Sequence, residues 1–216
     1  MTIDRPGVPA PPDPFEPRID VLAAGSRVVR VFSVGGGRTA ASFNPGFGAP
    51  TRFAFFNEPP VPVLYAGETE ESAVAETVLH DVPVQGGDVY PEDYRELAAA
   101  ALVTRRDLRF AAFHGLGLRR LDVTAAQLTD TSSAEYLRTV AWARAAHGYR
   151  DDDGGLDGVC WMSRQCNNAK AYVLFGDRVG ADDLEIATDY ARILGVGADL
   201  DWLIDLCAGL RINVVV

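Results

Sequence analysis

Cysteine is scarce in this chain. Cys160, Cys166 and Cys207 are the only three, an odd number without a Cys-x-x-Cys spacing, so neither a disulfide framework nor a zinc knuckle is indicated and a reduced cytoplasmic compartment is expected. His80, His114 and His147 form no His-x-x-x-His or Glu-x-x-His group; helix-end or core roles are expected of them, and no metal site. Lys and Arg never run beyond the pairs Arg105-Arg106 and Arg119-Arg120, and the formal charge is -10. Direct contact with DNA or RNA needs a basic face that this composition does not supply. An anionic small molecule is still admissible, because single arginines can make a pocket locally positive.

The opening "MTIDRPGVPAPPDPFEPRID" has no apolar h-region, and no apolar run reaches membrane-spanning length, so a soluble protein with no membrane partner is expected. No internal repeat is evident. No helix obviously opens after Gly35, Gly36 and Gly37, as a dinucleotide fingerprint or a P-loop requires, and these glycines read as a flexible connection. The acidic run Asp151 to Gly155 lacks the terminal glutamate of a calcium loop and reads as a solvated turn.

The 216 residues, 48% of them hydrophobic, are enough for one domain over residues 21–216. Residues 1–20 hold many prolines, which bar helix and central strand alike, so they read as an extended arm outside the core. "RVVRVFS" (Arg27 to Ser33) alternates as a strand does, and "TRFAFF" (Thr51 to Phe56) and "VPVLYAG" (Val61 to Gly67) read as two more. Thr69 is placed to cap a helix through "EESAVAETVLH", with Glu70 and Glu71 in its first turn. Val74, Ala75, Val78 and Leu79 form its buried arc, with Glu76 at the edge.

"LAAAALVTRRDLRFAAF" and "GLRRLDV" read as strands broken by a turn near Arg106-Asp107, the alanine run admitting a helix as the alternative. Helices follow at Ala125 to Leu128 and Ala134 to His147, the second with Leu137, Val140 and Trp142 facing the core. "LDGVCWMS" and "AKAYVLF" are strands around the loop "RQCNN"; a helix near Leu200 to Ala208 and a last strand "LRINVVV" close the chain. Many short strands with interspersed helices make an α+β fold, not the regular alternation of a doubly wound sheet.

Taken singly, an arginine before a strand, a tyrosine at a strand end and a helical glutamate usually mean solvation or packing. Their order says more. "RVFSVGGGRTAASFNPGFGAPTRF", "VLYAGETEESAVAETVLHD" and "DGVCWMSRQCNNAKAYVLFGDR" together resemble the RES domain, the toxin component of bacterial Res–Xre toxin–antitoxin pairs, over roughly Arg27 to Arg178. The resemblance implies an ADP-ribosyltransferase-like fold, with central mixed or antiparallel strands and flanking helices, and an enzyme that consumes NAD+ by hydrolysis or phosphorolysis. NAD+ is then substrate, not cofactor. The family's active-site arginine, tyrosine, glutamate and serine fall on Arg52, Tyr65, Glu76 and Ser163, and Arg30 matches a further arginine; a Xre-type antitoxin is the implied partner. Transfer of ADP-ribose to a protein target, or a catalytically silent nucleotide-binding module, are the alternatives.

The residue types suit that chemistry. Cleaving the nicotinamide–ribose bond leaves an oxocarbenium-like sugar that a carboxylate such as Glu76 stabilises. A guanidinium fork, Arg52 with Arg30 as a possible second, suits pyrophosphate. Tyr65 offers a face for the nicotinamide ring, and Ser163 a hydroxyl for its carboxamide.

Overall fold

The structure is a computed structural model and describes residues 7–216. In chain order the elements are β1 (Ile19–Leu22), β2 (Arg27–Ser33), β3 (Val63–Gly67), α1 (Glu70–Ala75), β4 (Gly87–Val89), α2 (Pro91–Tyr94), β5 (Leu97–Thr104) and β6 (Leu108–Phe113). Then come α3 (Gly115–Arg120), α4 (Ala125–Leu128), α5 (Tyr136–Gly148), β7 (Arg150–Asp151), β8 (Gly154–Gly155), β9 (Gly158–Met162), β10 (Lys170–Phe175), β11 (Leu184–Ile193), α6 (Gly197–Gly209) and β12 (Ile212–Val214). Eight strands form one sheet in the order β1-β6-β9-β10-β3-β2-β5-β11. β6 and β9 run parallel and the other neighbours antiparallel. This is the mixed α+β architecture expected from the sequence.

Strand alternation sorts the core onto two faces. Ala111 and Phe113 of β6, Val159 and Trp161 of β9, and Ala171, Val173 and Phe175 of β10 join Phe53, Trp142 and Ala143 in one cluster. The intervening Phe110, Ala112, Cys160, Tyr172 and Leu174 pack in another. A third cluster sets Val29 and Val31 of β2 against Ala73 and Val74 of α1 and against Leu203 and Cys207 of α6. Full burial of each large apolar side chain contributes about 1.5–3 kcal/mol.

β2 spans the residues expected, and β5 settles the alanine run as strand. Four expectations are corrected. The helix expected through His80 stops at Ala75: Thr77 turns its hydroxyl onto the Ala73 carbonyl, and such local bonds compete with helix continuation. "TRFAFF" is a turn and not a strand, because Thr51 and Ala54 bond each other's backbone at 2.8 and 3.3 Å; its Phe53 and Phe56 are buried all the same, and an apolar run does not distinguish the two. The first four residues of "GLRRLDV", Gly117 to Arg120, are helical and end α3, which buries Leu118. Leu137 is 82% exposed, since the buried stripe of α5 begins one residue earlier, at Tyr136, and continues through Thr139, Val140, Ala143 and Ala146.

The proline-rich arm, where described, lies on the core instead of outside it. Val8 is buried, Phe15 packs edge-on against Phe113 and Trp142, and the Trp142 indole N–H donates to the Pro9 carbonyl at 2.8 Å. β1 begins within the arm and is fastened by Asp20, whose Oδ2 accepts from the Lys170 ammonium at 2.7 Å and lies 2.7 Å from His114 Nε2. Partial burial raises the Asp20 pKa, but hydrogen bonds from Lys170 and His114 outweigh it and hold the carboxyl below its ordinary 3.8.

A carboxyl depressed by folding stabilises the folded state above its unfolded pKa and loses that contribution as the pH falls through the folded one. Urea unfolding at successive pH values should therefore show Asp20→Asn less stable than the parent at neutral pH, with the difference shrinking as the solution passes below 3.8. A second expectation concerns Gly67, where a Cβ would collide with the Ala73 backbone nitrogen and the Ser72 hydroxyl. Gly67→Ala should push α1 off the sheet and lower the unfolding free energy by about 1–3 kcal/mol.

Candidate functional site

The 51–54 turn carries Arg52 into the protein and is clamped from two sides. The Tyr65 hydroxyl accepts the Phe53 N–H at 3.2 Å and lies 2.9 Å from the Thr51 hydroxyl, while the Thr139 hydroxyl donates to the Arg52 carbonyl. Burial pushes the Tyr65 pKa up to about 12, against the hydrogen bonds from Thr51 and Phe53, which act to lower it. Glu76 arrives from the other direction. Thr69 caps α1 by accepting the Ser72 N–H in a capping box, and Glu76, as the C-cap, donates its own N–H to the Ser72 carbonyl at 3.1 Å.

Arg52 is 3% exposed, and its Nη1 meets Glu76 Oε2 at 3.3 Å. Its Nη2 lies 3.4 Å from the Thr131 carbonyl and 3.5 Å from His80 Nε2, and the guanidinium stands over the Tyr136 ring at 5.7 Å. The other Glu76 oxygen accepts the backbone N–H of Arg164 at 3.1 Å. Both oxygens of a nearly buried carboxylate are thus held, as an ion removed from water requires.

This pair sits in the wall of a chamber of about 450 Å³, within the usual size of small-molecule sites. Val31, Ala73 and Ala171 give it a low apolar lining, Tyr65 and Trp161 an aromatic side, and His80, Asp81 and Tyr136 its far side. Tyr136 is raised in pKa by burial, against which the Arg52 charge acts.

Of the residues expected from the sequence, Arg52, Tyr65 and Glu76 come together here. Arg30 and Ser163 do not. The alternation of β2 turns Arg30 to the sheet face opposite Val31, where its Nη1 donates to the Ala40 and Ser42 carbonyls at 2.6 and 2.5 Å and burial, reinforced by Arg38, pushes its pKa down to about 10. Ser163 is fully buried and its hydroxyl has no partner among the described residues. The serine segment reaches the site through the Arg164 backbone instead.

His80 and Tyr136 were not foreseen. They meet at 2.9 Å between His80 Nε2 and the Tyr136 hydroxyl although 56 residues apart, and no spacing rule connects them. Among the described residues, Asp20, His114 and Cys160 offer metal-ligating atoms within 4.8 Å of one another, but the Lys170 ammonium at 2.7 Å from Asp20 already supplies the positive charge there.

A family model described as RES domain matches residues 26–193. Among solved structures, the crystal structure of the M. tuberculosis MbcT-MbcA toxin-antitoxin complex contains a chain similar over 88% of this chain and 91% of that one, with a TM-score of 0.53 and 13% identity. That similarity is one of fold. No curated protein matches the sequence.

Removing one partner of a buried pair strands the other, at about 3–5 kcal/mol. Arg52→Met should therefore lower the unfolding free energy by about that amount and Arg52→Lys by less, as read from urea midpoints. Equal stability of Arg52→Met and the parent would show the pair to be energetically neutral.

Proposed function

The chain belongs to the RES domain family, and from that membership and the chemistry of the chamber we propose that it is the toxin of a toxin–antitoxin pair and cleaves the nicotinamide–ribose bond of NAD+. The observation that carries this reading is the Arg52–Glu76 pair in the wall of an aromatic-sided chamber. The glycosidic bond leaves with its electrons on nicotinamide, and positive charge develops on the ribose. A carboxylate fixed beside that charge stabilises the transition state more than the ground state, which is the condition for catalysis. Glu76 is that group, and its two hydrogen bonds keep it from turning away.

Arg52 is in this reading the residue that orients Glu76 and the cation met by a phosphate oxygen. Tyr65 and Trp161, packed edge to face at 6.0 Å, together form one wall for a flat ring, with Tyr65 also holding the Arg52 turn. Arg30 and Ser163, absent from the lining of the chamber, are given no substrate contact in this reading.

Bacterial cytoplasm, where NAD+ is plentiful, is the proposed place of action, and no helix among the described residues is long and apolar enough to cross a membrane. The fold relative comes from a toxin–antitoxin complex, which supports an antitoxin partner for this chain too. A Xre-type antitoxin would supply the DNA-reading surface that a chain of charge -10 lacks.

Purified protein incubated with NAD+ should release nicotinamide, and Glu76→Gln should slow the release by on the order of 10²-fold or more. In cells, the parent alone should arrest growth and lower NAD+, while Glu76→Gln should be harmless. A folded Glu76→Gln protein with undiminished turnover would overturn the assignment, and labelling of a protein with ADP-ribose would redirect the activity to transfer.

A further inference from the structure

A second chamber, of about 530 Å³, adjoins the first. His80, Asp81, Ser133 and Tyr136 line both, so the His80–Tyr136 contact stands at the boundary between them. The charge of the second chamber is unfavourable to an anion. Asp81 and Asp130 both line it, and Arg164 is its one arginine or lysine among the described residues. That guanidinium is already engaged, donating to the His80 carbonyl at 2.6 Å. The Gln165 amide is likewise turned onto the Val82 carbonyl at 2.7 Å. The lining thus sets two carboxylates, Asp81 and Asp130, against one guanidinium that already serves a backbone oxygen, a net negative balance that disfavours an anionic acceptor.

The boundary itself holds a basic nitrogen. Arg52 can only donate, and its Nη2 lies 3.5 Å from His80 Nε2; we therefore assign Nε2 as unprotonated, with its single lone pair accepting from the Tyr136 hydroxyl 2.9 Å away. The ring proton then sits on Nδ1, which faces Asp81 Oδ1 at 3.0 Å. The result is an ordered chain, Asp81 to His80 to Tyr136, ending at a residue that lines both chambers.

We propose that the second chamber admits the acceptor of the ribosyl group, that this acceptor is water and not phosphate, and that the Tyr136–His80 pair takes its proton. The inference rests on the NAD+-cleaving reading. As the ribose C1′–nitrogen bond breaks and its electron pair passes to nicotinamide, the water oxygen bonds to C1′. Its proton goes to the Tyr136 oxygen while the Tyr136 proton passes to His80 Nε2. The products are ADP-ribose, nicotinamide and one proton, later released from His80 to solvent.

The test is product analysis of the intact protein with NAD+, in buffer free of phosphate and in buffer containing inorganic phosphate. ADP-ribose should form in both at the same rate. A phosphorylated ADP-ribose seen by phosphorus NMR, or a rate rising with phosphate concentration, overturns the inference while leaving NAD+ cleavage intact. Absence of nicotinamide in both buffers removes the underlying reading, and this one with it. Tyr136→Phe keeps the ring and breaks the relay, so kcat should fall by on the order of 10²-fold, as for loss of acid–base catalysis, with KM and the unfolding midpoint unchanged. An unchanged kcat assigns the pair a structural role and overturns the relay.

Discussion

The contact between Arg52 and Glu76 governs how the rest of the site is built. A guanidinium and a carboxylate taken out of water must be held in good geometry and given further partners; both Glu76 oxygens have one, while the buried Arg52 Nε has none among the described residues. The turn that carries Arg52 is fixed at its backbone by Thr139 and, through Thr51 and Phe53, by Tyr65. Glu76 is fixed by the capped first turn of α1 and by the Arg164 backbone. Residues from β3, α1, α5 and the loop after β9 are thus committed to one ion pair, and the chamber is the space left beside it.

That convergence depends on small side chains. Gly67 at the end of β3 lets α1 descend until Ala73 touches the strand, and Ala98, Ala99, Ala100 and Ala101 fill β5 where it is covered on both sides by β2 and β11. A side chain at Gly67, or a larger one at Ala99, which packs in the same cluster as Ala73 and Val74, would hold α1 and Glu76 away from the turn carrying Arg52. The bulk of the core lies elsewhere, in Phe53, Phe113, Trp142 and Trp161, whose rings meet edge-on or tilted at 5.1–6.0 Å and make a rigid backing for the chamber.

Charge on the outside follows a different rule. Arg27 pairs with Asp189, Arg105 with Glu185 and Arg120 with Glu16. Exposed pairs of this kind contribute little stability one by one, but they neutralise the arginines locally. The surplus of carboxylates then leaves a surface unsuited to nucleic acid, and the second chamber shares that acidic character.

The sequence alone determined the class of fold, the strands with clean alternation, the cap at Thr69 and the group Arg52, Tyr65 and Glu76, because each depends on local periodicity, on a capping rule or on a motif order that survives without neighbours. It did not determine that Arg30 faces away from the site, although the period of two in β2 contained that information once the face of Val31 was known. Nor could it reveal His80 and Tyr136 as a pair, the Arg164 backbone as a donor to Glu76, or the docking of Val8 and Phe15 on Trp142. Those contacts join residues far apart in the chain: α5 and the β9–β10 loop meeting the end of α1 make the first two, and the arm lying on the β6–β9–β10 cluster makes the third.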